Sequence, residues 1–193
     1  MKKIQTFTAG LCLLFNAACV QTPQTPDAPR RDIDATPTAA LTEQSDTLRF
    51  HNLHTDENIA IPYNEGQSIS RQANWFMRDF RLAEPAAMDP RLFDLLTDLQ
   101  EAIEARYPHL DGKVEYQVVS AYRAPATNEN LRSAGGSQAK NSLHTHGQAI
   151  DIRVPGLTTE QLRDVATSLK RGGVGYYPQD RFVHVDVGRV RYW

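Results

Sequence analysis

Two stretches of this chain alternate so regularly that each must be a strand with one aliphatic and one polar face. In Ala149-Ile150-Asp151-Ile152-Arg153-Val154, the residues Ile150, Ile152 and Val154 share a face, and Asp151 points the other way. In Phe182-Val183-His184-Val185-Asp186-Val187 the three valines share a face, and His184 and Asp186 lie together on its reverse. A fold that buries the aliphatic layers must therefore leave Asp151, His184 and Asp186 on the opposite side of the strands.

His144 stands seven residues before Asp151, with Gly147 between them, so a turn at the glycine brings the imidazole back over the strand that carries the carboxylate. Two neutral imidazoles and one carboxylate on Zn²⁺ leave a fourth position for water, the pattern of a catalytic rather than a structural zinc site. A structural site would more often use thiolates, and the two cysteines, Cys12 and Cys19, both lie near the N-terminus. Without a further thiol, the rest of the chain has no internal disulfide and no cysteine nucleophile.

The first nineteen residues read as an export leader (1–19): Lys2 and Lys3 precede an apolar run over residues 9–18 that is too short to span a bilayer. Phe15-Asn16-Ala17-Ala18-Cys19 resembles a lipoprotein cleavage box, with Asn16 in place of the usual aliphatic residue. Two outcomes stay open, a lipid tether to a membrane through Cys19 or simple cleavage near Ala18, and both place the domain outside the cytoplasm, periplasmic or outer-membrane-associated. Residues 20–46, rich in Thr, Pro, Ala and Gln with no aromatic, read as a flexible linker. Residues 47–193, about 150 in number, then make one domain with one core. The leader holds two of the 21 basic residues and no acid, leaving 19 against 23 acids, a net charge of −4 that argues against nucleic acid as a partner.

Within the domain, runs at 48–53 and 58–63 suggest a hairpin, and a helix is expected over 69–80. The clearest helix starts at Asp89-Pro90, carries Leu92, Leu95, Leu96, Leu99 and Ile103 on one face, and stops at Pro108. Residues 114–122 read as a strand running into a loop at Arg123. Thr158 and Gln161 form a capping box ahead of a helix with Leu162, Val165, Ala166 and Leu169 as its stripe, closed by Lys170-Arg171-Gly172-Gly173. Helices and strands mix without a regular βαβ rhythm, so the fold class is α+β with a mostly antiparallel sheet and helices packed against it.

Ser142-Leu-His144-Thr-His-Gly147-Gln-Ala149-Ile-Asp151 and His184-Val-Asp186 together resemble the motif of the zinc D-alanyl-D-alanine metallopeptidases and murein endopeptidases, whose fold is shared with hedgehog signalling domains. Ser120-Ala-Tyr122-Arg123-Ala-Pro125 and Gly175-Tyr176-Tyr177 are similar to segments of the murein endopeptidase branch. The resemblance runs from about Leu48 to Trp193. It implies that His144, Asp151 and His184 hold zinc, and that Arg123, with Tyr122 and Ser142 of the same motifs, lies toward a peptidoglycan stem peptide. Arg123 would pair there with a developing oxyanion or a peptide carboxylate. Many relatives carry an acid three positions before the last histidine, where this chain has Arg181. Asp186 is then the first candidate for taking a proton from water, its alternative being to orient a ligand imidazole, and Asp180 is the second candidate.

The expected function is zinc-dependent hydrolysis of peptide cross-links in peptidoglycan. The alternative is a zinc-containing wall-binding module that has lost turnover. His146 reads as a pocket or surface residue, and His51, His54 and His109 as structural. Ser137-Gln-Ala-Lys140 matches S-x-x-K of serine peptidases, but the companion S-D-N and K-T-G motifs are absent. Trp193 either closes the last strand against the core or lines a substrate groove.

Overall fold

The computed structural model describes residues 46–136 and 138–193. The leader, the linker up to residue 45, and Ser137 of the S-x-x-K segment lie outside the described residues.

Strand β1 (Asp46–Asn52) pairs antiparallel with β2 (Asn58–Tyr63), the hairpin read from the sequence, and Asp56 turns it at φ 57°. Helix α1 (Arg71–Phe76) starts where the Ser70 hydroxyl accepts from the Ala73 N–H, but it is shorter than the 69–80 expected. Its continuation is diverted because Asp79 and Glu84 exchange two main-chain hydrogen bonds, of 2.9 and 3.2 Å. Helix α2 (Pro90–Arg106) has Asp89 as its cap and Pro90 in its first turn, and buries Leu92, Phe93, Leu95, Leu96, Leu99 and Ile103. Strand β3 (Tyr116–Ser120) follows, then α3 (Pro125–Ser133), β4 (Ala149–Arg153), α4 (Thr159–Ser168), β5 (Gly173–Tyr177), β6 (Phe182–Asp186) and β7 (Arg191–Tyr192). Both halves of the Thr158 and Gln161 capping box are made.

The seven strands lie in the order β2-β1-β3-β4-β6-β5-β7. The class is α+β, but the sheet is mixed rather than mostly antiparallel, since β1 runs parallel to β3 and β5 parallel to β7. Alternation in a sequence fixes which face a residue takes and says nothing of a strand's direction. Here α1 and α2 intervene between β2 and β3 and make a crossover long enough for a parallel neighbour of β1. β7 returns past the end of β6 onto the far side of β5.

The aliphatic residues of the alternating strands, Ile150, Ile152, Val183 and Val185, join Phe50 and Tyr116 and the stripes of α2 and α4 in one buried cluster. Each such large side chain removed from water contributes about 1.5–3 kcal/mol. The Tyr116 hydroxyl, buried at its centre, donates to the Leu96 carbonyl at 2.7 Å and so ties the sheet to α2. Since this layer takes one face of β4 and β6, their polar residues are left for the other.

Candidate metal centre

Strands β4 and β6 pair antiparallel with Asp151 opposite His184 and Ala149 opposite Asp186. Directly opposed residues project to the same side with Cβ atoms about 5 Å apart, close enough to share one ion. His144 comes from the turn Leu143–His146, which Gly147 ends at φ 66°. A Cβ on Gly147 would sit 2.5 Å from the Ala87 carbonyl oxygen, so only glycine lets this turn pack on the segment ahead of α2. The Gly147 carbonyl in turn accepts from the Asp89 N–H at 3.0 Å, and Gln148 Nε2 donates to the Asp89 carboxylate at 3.0 Å. The cap of α2 therefore also positions the turn that carries His144.

The three side chains converge: His184 Nδ1 is 2.8 Å from Asp151 Oδ1, His144 Nε2 is 3.1 Å from His184 Nδ1, and His144 Nε2 is 3.2 Å from Asp151 Oδ1. All three are buried. The second nitrogen of each ring is already engaged. His144 Nδ1 lies 2.7 Å from the Ala121 carbonyl, which can only accept, so Nδ1 carries the proton and Nε2 keeps its lone pair. His184 Nε2 lies 2.9 Å from Asp186 Oδ2 and donates there, while its Nδ1 also meets a carboxylate, Asp151 Oδ1 at 2.8 Å, and shares a proton with it. A cation that displaces this proton would be met by two imidazole lone pairs and a carboxylate oxygen converging in a buried triangle. Donors about 2.0–2.2 Å from a tetrahedral ion stand about 3.3–3.6 Å apart, a few tenths of an ångström beyond the three edges found here, so the residues fit a metal ion of zinc's size with a small outward shift. Among the described residues this is the group of histidine and acidic side chains able to hold such an ion.

Asp186 stands behind the His184 ring. It is 0% exposed, and it sits on the side of the His184 ring away from the triangle. Its Oδ1 accepts from the Gly173 N–H at 3.1 Å, the Gly188 N–H at 2.8 Å and Arg191 Nη1 at 3.1 Å, and its Oδ2 accepts from Arg191 Nη2 at 2.7 Å. Burial alone would raise this carboxyl, but hydrogen bonds from His184, Arg191 and Gly188 outweigh it and hold it well below the usual carboxylate range. In this place Asp186 holds the His184 ring by its Nε2 edge. Arg191 and the two glycine N–H groups that fix it were not legible in the sequence, because the strand pattern ends at Val187.

A cavity of about 460 Å³ opens over the triangle and is lined by Arg123, Ser142 and Asp180 among others. Arg123 is buried, with Nη2 3.7 Å from Asp151 Oδ2 and 3.3 Å from Ser120 Oγ, while its Nε has no hydrogen-bond partner among the described residues. Its N–H bonds to the His144 carbonyl at 3.1 Å, which couples its loop to the His144 turn. The buried Asp79 carboxylate accepts from the Ala124 N–H at 2.9 Å and holds the same loop from the other side. Tyr122 is placed differently from expectation: it belongs to the hydrophobic cluster and does not line this cavity. Asp151 and Asp180 are the carboxylates of the lining, and Arg181, at φ 56°, lines a separate cavity with Arg153 and Leu157. His146 is exposed and outside the triangle.

A family model described as peptidoglycan L,D-endopeptidase MepK (Peptidase_M15_2) matches residues 40–193. The Escherichia coli K12 protein named peptidoglycan L,D-endopeptidase MepK is 39% identical over 150 residues, which cover 76% of this chain and 79% of that one. A Haemophilus influenzae protein named probable peptidoglycan L,D-endopeptidase MepK is 35% identical over 150 residues, covering 76% of this chain and 77% of that one.

Proposed function

We propose that this chain, a peptidoglycan endopeptidase that belongs to the Peptidase_M15_2 family, uses zinc held by His144, Asp151 and His184 to cut peptide cross-links of the bacterial wall. The observation that carries the zinc reading is the pair of imidazoles whose outer nitrogens are both committed, which leaves their inner nitrogens and the Asp151 carboxylate aimed at one point. Zinc in such a site acidifies a water to a pKa of about 7 and polarises a peptide carbonyl.

The chain's own residues supply the rest. Asp186 keeps the His184 ring turned so that Nδ1 faces the triangle. Arg123, which lines the cavity, meets the carbonyl oxygen as it becomes negative, or a carboxylate of the stem. Asp180, the lining carboxylate that is not part of the triangle, accepts the proton of the attacking water and passes it to the departing amine. Ser142 borders the same cavity and contacts the stem. With a carboxylate at Asp180, the arginine at position 181 no longer argues for a wall-binding module without turnover.

The name of the relatives, L,D-endopeptidase, points to a bond between an L- and a D-configured centre, and we assign that bond class to this chain as well. Such a substrate lies outside the inner membrane, which agrees with export by the leader of residues 1–19, a periplasmic location, and a linker ahead of β1. A lipid on Cys19 would fix it to a membrane. The experiment is digestion of purified sacculi followed by separation of the muropeptides. Loss of cross-linked dimers that is absent with His144→Ala supports the reading, and equal loss with that variant overturns it.

A further inference from the structure

The cavity over the triangle is lined by two kinds of side chain. Arg123 and Gln138 are among the polar ones. Tyr177, Phe182 and Trp193 are aromatic. Polar groups together with aromatic rings suit a ligand that carries both a hydrogen-bonding backbone and apolar side chains, as a peptide does.

Trp193 is the exposed one of these three aromatic residues, at 49%, and yet it is fixed from several directions. Its N–H donates to the Val174 carbonyl at 3.2 Å, and its carbonyl accepts from Tyr176 at 2.8 Å. The indole Nε1 donates to the Tyr177 hydroxyl at 2.9 Å, and the Arg191 guanidinium lies 4.9 Å from the ring centre. The ring rests over Gly175, where a Cβ would come within 2.7 Å of Cε2 and Cζ2. Its centroid is 5.3 Å from that of His184. A residue that served to close the core would be covered. This one is held rigid, left half open, and set beside a member of the triangle, the condition in which an aromatic side chain binds with little further loss of conformational freedom.

We propose that Trp193 is a specificity-determining contact of the cleft, an indole shelf for the aliphatic part of the stem peptide next to the scissile bond. An alanyl methyl or the methylene chain of a diamino acid is the group it takes, while the stem's backbone meets the polar side chains of the lining. This rests on the reading of the cavity as the endopeptidase site.

The test uses cross-linked muropeptide dimers released from sacculi by a muramidase. The chain has two tryptophans, so Trp75→Phe leaves Trp193 as the sole indole. In that variant, treated with chelator to prevent turnover, the dimers produce a saturable change in indole emission. In the zinc-loaded enzyme, Trp193→Ala raises KM by roughly tenfold or more with kcat and zinc content near wild type, and Trp193→Phe restores most of the affinity. An emission unmoved by dimers, or a KM that Trp193→Ala leaves unchanged, overturns the proposal. If the unaltered enzyme leaves the dimers intact, the endopeptidase reading fails instead, and the emission titration still decides whether the stem meets Trp193.

Discussion

His184 Nε2 donates to Asp186 Oδ2 at 2.9 Å, from the side of the ring opposite to the Nδ1 that faces Asp151 at 2.8 Å. Asp186 thus sets the direction in which the imidazole can bind an ion, and Arg191 with two main-chain N–H groups sets Asp186.

Replacing Asp186 by Asn keeps the shape but removes the charge and leaves Arg191 without its partner. Zinc affinity is expected to fall by about 10–100-fold, with activity recovering as zinc is raised. Titration with a zinc-chelating dye measures the affinity. Activity lost at every zinc concentration, with the affinity untouched, would instead make Asp186 the proton acceptor.

Asp180→Asn leaves the zinc affinity unchanged and lowers kcat by about 10²–10⁴-fold, the usual worth of a general base. The tie from Arg153 Nη2 to the Asp180 carbonyl, 3.0 Å, involves the main chain and survives the change. A loss of kcat below tenfold in a steady-state assay would leave Asp180 without this role.

Gly147→Ala meets two obstacles at once, the left-handed φ of 66° and the Ala87 carbonyl 2.5 Å from the new Cβ. The neighbour is backbone and cannot rotate away. Together the conformational and steric costs amount to about 2–5 kcal/mol, read as a lower denaturant midpoint, and zinc affinity drops with it because His144 sits on the same turn.

The Asp89 carboxylate caps α2, and its hydrogen bonds from Arg91, with a further one from Gln148, hold its pKa at about 2 against the burial that would raise it. The folded value lies below the ordinary 3.8. Its contribution is therefore complete above that value and is lost as pH falls through the folded one. At neutral pH Asp89→Asn keeps a capping oxygen but loses the charge, at a cost of about 1 kcal/mol after solvent screening. Thermal melts of the two proteins between pH 4 and 2 are expected to converge, and a gap that stays constant would rule out the linkage.

What was legible in the sequence is what a short local pattern specifies. The two-residue period of β4 and β6 placed Asp151, His184 and Asp186 on one side, and the caps at Asp89 and Thr158 located α2 and α4. Helix α3 escaped notice because Pro-Ala-Thr-Asn-Glu-Asn-Leu-Arg-Ser has no apolar stripe, its buried residues being Thr127 and Asn128. Strand β5, with glycines at 173 and 175, gives little β signal, although both glycines are needed for the approach of Arg191 and Trp193. The contrary placements have the same origin. Period two puts His184 and Asp186 on one face but cannot say that Arg191 draws the second carboxylate behind the first ring, and Tyr122 shares a motif with Arg123 while packing into the core.

The most direct measurement titrates the chelator-treated protein with zinc while following cleavage of cross-linked muropeptide dimers. Cleavage should be absent at the start and rise to a plateau at about one zinc per chain, and His184→Ala should show no such plateau at that stoichiometry. Cleavage that persists without metal, or a plateau unchanged in His184→Ala, would contradict a metal centre built by His144, Asp151 and His184.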